Sequence, residues 1–395
     1  MNNYLKLIER QNSILLLSLP FLLSTFVILG LPDAPLKDER FFFPLIQKFG
    51  ESYFPSLSDI RQMTQPQGPV YFAVFGFVGH FFDYSLLPLR LLNVFLGFLG
   101  VLFLYKTLSQ HTQFPLCLSL WFTLNPYFLL LTTPYIYTDN LCMLFVLAGM
   151  YFFVVKENRF AAGVLWGLAL WTRQVAIIVP LSAVIVDLYF TRTDRCQQFK
   201  VFLGNALPFL ALLVLFVTWD FSLTPPNNVH NINTVDTFRF SLRQLNYAIV
   251  LTGVYSAPIW LPKIRLIVGS RMFILASLCG FSLITHFPRL VNQDSPFYSV
   301  WTAGYFDKFL LAIGNLAYVI VPILWLPALA YFLLCLRPPW TSRIQSFAIG
   351  VVFLFFAFET VFTFAWDKYF ILVIPFALLT QISRRTCQES TPSTK

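Results

Sequence analysis

The sequence predicts an all-α protein: a polytopic transmembrane bundle of about twelve spans, with a large first outer loop that carries surface helices. Three observations predict it. Of the 395 residues, 57% are hydrophobic and 11% are charged, whereas a soluble domain carries roughly 25% charged residues. Apolar runs near the ~20 residues that cross a bilayer recur along the whole chain. The basic residues collect in alternate short loops, which is a topology signal.

The elements follow in order. The run Ile14–Leu31 comes after Lys6 and Arg10 and is followed by no small-residue cleavage site, so 13–31 reads as an uncleaved first span. The segment 32–87 is the first outer loop. Within it 68–83 is apolar but holds His80 and Asp83, and is read as a helix lying on the membrane surface. Further spans are expected near 88–107, 114–131, 140–155, 160–174, 175–190, 201–219, 245–261, 272–287, 310–335, 345–363 and 369–383. No internal repeat or soluble domain appears, so 1–383 reads as one membrane domain and 384–395 as a cytoplasmic tail.

With 68–83 on the surface, one face holds Lys6, Arg10, Lys106, Lys156, Arg159, Arg192, Arg195, Lys200, Lys263, Arg265, Arg271, Arg337, Arg343, Arg384, Arg385 and Lys395. That is 16 of the 27 Lys and Arg against 5 of the 18 acids, so this face is +11 and the opposite face −2. The positive-inside rule makes the first face cytoplasmic. The long outer segments 32–87, 220–244 and 288–309 then share the other side, lumenal or periplasmic.

Several chemistries are disfavoured. The basic residues are spread over short loops and form no nucleic-acid patch. Of the six cysteines (Cys117, Cys142, Cys196, Cys279, Cys335 and Cys387), four lie in apolar runs and none has CxxC spacing. His80, His111, His230 and His286 show no ligand spacing. No cofactor and no metal are expected. No phosphate-cradling glycine loop or dinucleotide fingerprint is present, so any sugar donor is expected to be lipid-borne.

Five short constellations carry candidate chemistry. Lys37-Asp38-Glu39-Arg40 sets two acids just beyond the first span, where a carboxylate suits a general base, although a solvated pair anchoring the span fits too. Thr64-Gln65-Pro66-Gln67-Gly68-Pro69 encodes a tight turn that returns the loop to the membrane face. Arg173-Gln174 lies in the apolar stretch Leu165–Asp187. An arginine at that depth costs at least ~2.5 kcal/mol unless it is paired or near the surface. Its planar fork suits a lipid phosphate; an interface anchor is the plainer reading. Tyr137-Thr138-Asp139-Asn140 opens a span, as a helix cap or a sugar-hydroxyl contact. Trp366-Asp367-Lys368-Tyr369, before the last span, is an aromatic anchor or a clamp on an anionic head group. Glu359, inside an apolar helix, is expected to face the bundle interior, and Arg90, opening a span, to snorkel or to meet an anion.

Together these features resemble the GT-C superfamily of membrane glycosyltransferases that use polyprenyl-phosphate sugars. The likeness rests on Asp38-Glu39, on Gln65-Pro66-Gln67-Gly68-Pro69-Val70-Tyr71, and on Gly167-Leu168-Ala169-Leu170-Trp171-Thr172-Arg173. Within the superfamily the chain is most similar to the dolichyl-phosphate-glucose α-1,2-glucosyltransferase family of N-glycan precursor assembly. The family's Arg-Gln-Thr-Asn signature matches Arg173-Gln174 and departs at Val175-Ala176, and its Tyr-Thr-acid element matches Tyr137-Thr138-Asp139. Its late Arg-Tyr-Phe-Ile-Leu resembles Lys368-Tyr369-Phe370-Ile371-Leu372. Its Phe-Tyr-Val-Trp resembles Phe297-Tyr298-Ser299-Val300-Trp301, without the preceding Arg-His pair.

The resemblance implies an inverting hexosyltransferase, with glucose as the sugar, in the endoplasmic reticulum or a bacterial cytoplasmic membrane. Its partners are a polyprenyl- or dolichyl-phosphate sugar donor, a lipid-linked oligosaccharide or other glycan acceptor, and membrane lipid. Asp38 and Glu39 are the catalytic candidates. Arg173, Gln174, Lys368, Tyr369 and Arg90 are expected at the donor phosphate, and Gln65, Gln67, Tyr137, Asp139 and Asn140 at sugar or acceptor. A lipid or sugar transporter, or a scaffold, shares the helix count. The large first loop and the lack of matching halves of interrupted helices argue against a transporter, and a scaffold would not need Asp38, Arg173 and Glu359 near one membrane face.

The charge count predicts sidedness. In a cysteine-free background, an impermeant thiol reagent is expected to label cysteines at positions 51 and 230 from outside, and at 158 and 197 only after permeabilisation. Opposite-side labelling of 51 and 230 would overturn this topology.

Overall fold

In this computed structural model, the structure describes residues 2–52, 55–190, 195–227, 240–288, 305–336, 342–361 and 367–380; the side chains of 2–11, 131, 195–200, 305–307, 361 and 367–369 lie outside that description. Every regular element among the described residues is a helix. Among the described residues, five helices are long and apolar enough to cross a membrane: Asn12–Leu29, Leu86–Ser109, Val201–Thr218, Gly314–Leu336 and Arg343–Thr360. A pair bent by 102°, Ala257–Val268 with Arg271–Thr285, makes a sixth if it is one broken span. Their outer faces carry large apolar side chains such as Leu15, Leu23 and Phe26 on the first, and Phe202, Leu210 and Leu213 on the third. Faces of that size and apolarity suit lipid better than water.

The other expected spans are shorter apolar helices, and their breaks have local causes. The run 114–131 holds α6 (Pro115–Thr123) and then a single π-helical turn, Phe128–Thr132, instead of one continuous helix. Asn125 then turns its Oδ1 back to accept the N–H groups of Tyr127 at 2.9 Å and Phe128 at 3.4 Å, and Pro126 follows it. That turn competes with the helical ladder. The run 160–174 is helical over Arg159–Leu170, and Arg173 is extended at φ −150° and ψ 122°.

Contacts divide the chain into two compact units, 1–180 with 194–234, and 181–193 with 235–395. In the first, α1 (Asn2–Leu29) packs on α5 (Leu86–Ser109), α5 on α7 (Thr138–Val154), α7 on α8 (Arg159–Leu170), and α8 on α10 (Arg195–Thr218). Between α1 and α5 the first loop forms three helices: α2 (Glu39–Glu51), α3 (Leu57–Arg61) and α4 (Pro69–His80). Ser56 and Asp59 close a reciprocal cap on α3. The 12 residues of α4 reach only about 18 Å, well short of a ~30 Å hydrocarbon core.

The helices α2 and α4 pack face to face. Phe42, Leu45, Ile46 and Phe49 bury one side of α2 against Tyr71, Phe72 and Phe75 of α4. Phe42 meets Tyr71 and Phe72 edge-on at 5.9 and 6.2 Å between ring centroids. Burying each of these rings contributes roughly 1.5–3 kcal/mol. The two backbones touch where Gly50 crosses Gly76, and a Cβ on Gly76 would lie 2.6 Å from both the Gly50 nitrogen and the Ile46 carbonyl oxygen.

In the second unit, residues 178–190 form α9 (Ile178–Phe190), whose first three residues belong to the first unit. The chain continues through α11 (Leu242–Tyr255), α12 (Ala257–Trp260), α13 (Ile264–Val268), α14 (Arg271–Cys279), α15 (Phe281–Thr285), α16 (Tyr305–Ala312), α17 (Ala317–Leu336), α18 (Arg343–Val361) and α19 (Asp367–Leu379). The helix α11 packs on α17, α18 and α19. Asp187, fully buried in α9, pairs with Arg343 at the start of α18.

The glycine crossing gives a stability prediction. Gly76→Ala is expected to destabilise the purified protein by about 1–3 kcal/mol through overpacking. Gly30→Ala, where the nearest atom would be an ordinary 3.5 Å away, serves as the control. Equal thermal midpoints for the two variants would contradict the close approach.

Candidate functional site at the first outer loop

The first unit gathers the loop acids, the Pro-Gly turn, the start of α7 and the end of α8. The turn is fixed first. Gly68 donates its N–H to the Thr172 carbonyl at 3.0 Å, and Val70 donates to the Trp171 carbonyl at 3.1 Å. Gln174 Nε2 donates to the Pro66 carbonyl at 3.1 Å. Only glycine fits at position 68, because a Cβ there would collide with the Trp171 carbonyl. The turn is thus stapled to the point where α8 ends.

Ending α8 at Leu170 also frees Arg173. Its guanidinium pairs with Asp139 in the first turn of α7, a helix end that itself favours negative charge. Both side chains are largely buried, at 11% and 7% exposure, so the pair meets the apolar-burial cost that a lone arginine would incur.

The acids take different places. Glu39 is completely buried. Arg90 donates to it twice, from Nε to Oε1 at 3.0 Å and from Nη2 to Oε2 at 2.7 Å. Leu36 N–H donates to Oε2 at 2.8 Å and Ile136 N–H to Oε1 at 2.9 Å. Arg90 spends its other donors on the Pro32 and Ala34 carbonyls, at 2.8 and 3.0 Å. Arg90 is therefore the counter-ion of Glu39. Glu39, in turn, anchors the loop.

Asp38, one residue earlier, is only half-buried. The Tyr137 phenol donates to its carboxylate. Burial, with the negative charges of Asp38 and Asp139 next, pushes that phenol well above its ordinary range, so it stays a donor. Lys37, beside Asp38, has a positive φ of 52° and lies 4.2 Å above the Tyr135 ring. A lysine in the left-handed region is strained, and the Glu39 anchor next to it holds the loop there.

The remaining expected residues divide. Asn140 is fully buried and donates from Nδ2 to the Asn93 carbonyl at 3.1 Å, which places it between α5 and α7, while its Oδ1 has no hydrogen-bond partner. Asn93 donates from Nδ2 to the Thr132 and Tyr135 carbonyls, each at 2.6 Å. Gln65 is buried. The side chains of Lys368 and Tyr369, and all of 297–301, lie outside the described residues.

Among the buried polar atoms without a hydrogen-bond partner here are Gln67 Oε1, Asp139 Oδ2 and the Tyr71 hydroxyl. Tyr71 gained no role from sequence reasoning, although it closes the Gln-Gly-Pro-Val-Tyr motif. It is fully buried, and burial first, then the charges of Glu39 and Asp139, raise its phenol well above the usual value. Two acceptors and a neutral phenol, left unsatisfied inside a protein, suit a ligand rich in hydroxyl groups.

In comparisons with known proteins, the chain matches no family model, no curated protein and no solved structure.

The buried pair is expected to be essential to the fold of the loop. Arg90→Met leaves Glu39 uncompensated and should cost about 3–5 kcal/mol of stability. Arg90→Lys should restore little, since one ammonium cannot serve the carboxylate and two carbonyls that the planar fork reaches. Thermal unfolding in detergent checks both; an Arg90→Met protein as stable as wild type would refute the anchor.

Proposed function

We propose that the protein is a membrane glycosyltransferase of the GT-C build. It moves a hexose, glucose by resemblance, from a polyprenyl- or dolichyl-phosphate sugar to a lipid-linked oligosaccharide or another glycan acceptor. The observation that carries this reading is the convergence of Asp38, Gln67, Tyr71, Tyr137, Asp139 and Arg173, from four distant stretches, in a largely apolar helical unit. A half-buried carboxylate, an arginine and orphaned hydroxyl-binding atoms are the parts that such a transfer uses. The twelve-span topology, with the site on the non-cytoplasmic face of the endoplasmic reticulum or a bacterial membrane, belongs to the same proposal.

The chemistry follows from these groups. Asp38 takes the proton of the acceptor hydroxyl as that oxygen attacks the anomeric carbon. The bond from that carbon to the phosphate oxygen breaks, and polyprenyl phosphate departs carrying the electron pair. Arg173 faces the charge that grows on the leaving phosphate, and a cation already in place is the largest usual source of acceleration. Asp139 holds Arg173 in position, while Gln67 Oε1 and Asp139 Oδ2 accept sugar hydroxyls. Tyr137 orients Asp38. Glu39 and Arg90 position the loop without touching substrate. Gln174 acts through Pro66 in the same way. Gln65, Lys368 and Tyr369 keep their proposed roles at the sugar and the phosphate.

Purified protein assayed with a panel of polyprenyl-phosphate sugars and lipid-linked acceptors tests the reading. Asp38→Asn keeps the shape but cannot take a proton, so turnover should fall by roughly 10²-fold or more. Glu39→Gln should act mainly through stability. Arg173→Ala should be crippled, with Arg173→Lys recovering part, because the ammonium lacks the bidentate match to phosphate. Near-wild-type turnover by Asp38→Asn would remove it as the base, and no transfer with any donor would remove the reading.

A further inference from the structure

The second unit holds buried polar groups that the proposed transfer does not use. Glu359 lies in α18 at 1% exposure, and its Oε2 has no hydrogen-bond partner. Gln244, in the first turn of α11, is 4% exposed, and its Oε1 is likewise unsatisfied. Both sit at the same end of one helix pair. Ser241, which caps α11, donates its N–H to the Thr360 carbonyl at 2.7 Å, and Thr360 follows Glu359.

Helical spacing places Gln244 towards Glu359. At about 100° per residue, Gln244, Ala248 and Thr252 form one stripe of α11. Tyr247, to one side of it, meets Phe370 of α19 at 5.8 Å. Gly253, on the other side, abuts Ala328 of α17. The stripe between them is the part of α11 left for α18, and it carries a third unsatisfied atom, Thr252 Oγ1.

The chemistry of the orphans selects the partner. A carboxyl oxygen and a carboxamide oxygen are acceptors, and leaving them buried without donors is costly. A carboxyl and a carboxamide, with a hydroxyl further along the stripe, fit a ligand that offers neighbouring O–H groups. We propose that Glu359 and Gln244 form a second hydroxyl-binding site, in the second unit, for a saccharide. That the ligand is a saccharide rests on the transferase reading; the existence of the site rests on the buried acceptors.

Equilibrium binding of radiolabelled maltotriose to the purified full-length protein in nanodiscs tests it. Wild type is expected to show a saturable component that Glu359→Leu and Gln244→Leu each weaken by roughly tenfold or more. The double variant should lose no more than either single one, because the site is shared. Neither substitution should lower the thermal midpoint, since each removes an unsatisfied buried polar atom. Should Glu359→Leu fail to fold, Gln244→Leu alone decides. Isotherms that match wild type in both variants, or no saturable component in wild type, would overturn the site. Glycosyl transfer without a Glu359-dependent component sinks this inference and spares the transferase reading. The component without any transfer does the reverse.

Discussion

The site in the first unit depends on one buried carboxylate. Glu39 accepts hydrogen bonds from Leu36, Arg90 and Ile136, which belong to the first loop, α5 and the segment before α7. A single side chain thus ties three stretches into one fixed arrangement. Asp38 precedes it and Tyr137 follows Ile136, so the bond between them is set by the same anchor. A carboxylate in an apolar interior is stable only when its lone pairs are filled, and here four donor contacts fill them. A loop built around such a group leaves little freedom in where Asp38 points.

A second seam completes the arrangement. The Gln65–Pro69 turn hydrogen-bonds to the backbone at Trp171 and Thr172, and this is possible because α8 stops before Arg173. Helix termination and loop docking are one event: the carbonyls that α8 leaves unused are the acceptors that the turn needs. The same termination lets Arg173 reach Asp139. The packing of α2 on α4 then supplies the rigidity, through aromatic contacts and the Gly50–Gly76 crossing.

Part of this was legible in the sequence. Arg173 stood out because an arginine inside an apolar run needs a partner, and the Gln-Pro-Gln-Gly-Pro turn because its residues fix backbone geometry. The helical, lipid-suited character followed from composition. What sequence could not resolve were pairings across long separations. Arg90 and Glu39 are 51 positions apart, and nothing local links an arginine at the head of one helix to the second of two adjacent acids. Nor does hydropathy separate Asp38 from Glu39, although the first turn of α2 leaves one half-buried and the other fully buried. The helix expected over 114–131 is interrupted for a different reason: averaging over an apolar run hid the Asn125-Pro126 turn signal that divides it.

The central claim is that a sugar leaves a lipid phosphate in one displacement, on a base and a cation fixed by this scaffold. The most direct measurement follows the anomeric configuration and the co-product together. Reconstituted protein is given polyprenyl-phosphate glucose labelled in the sugar, with a lipid-linked oligosaccharide acceptor. The account predicts a new glycosidic bond of configuration opposite to the donor's, with one polyprenyl phosphate released for each sugar transferred. Retention of configuration would contradict the single displacement, and intact donor merely carried across the bilayer would make the protein a transporter instead.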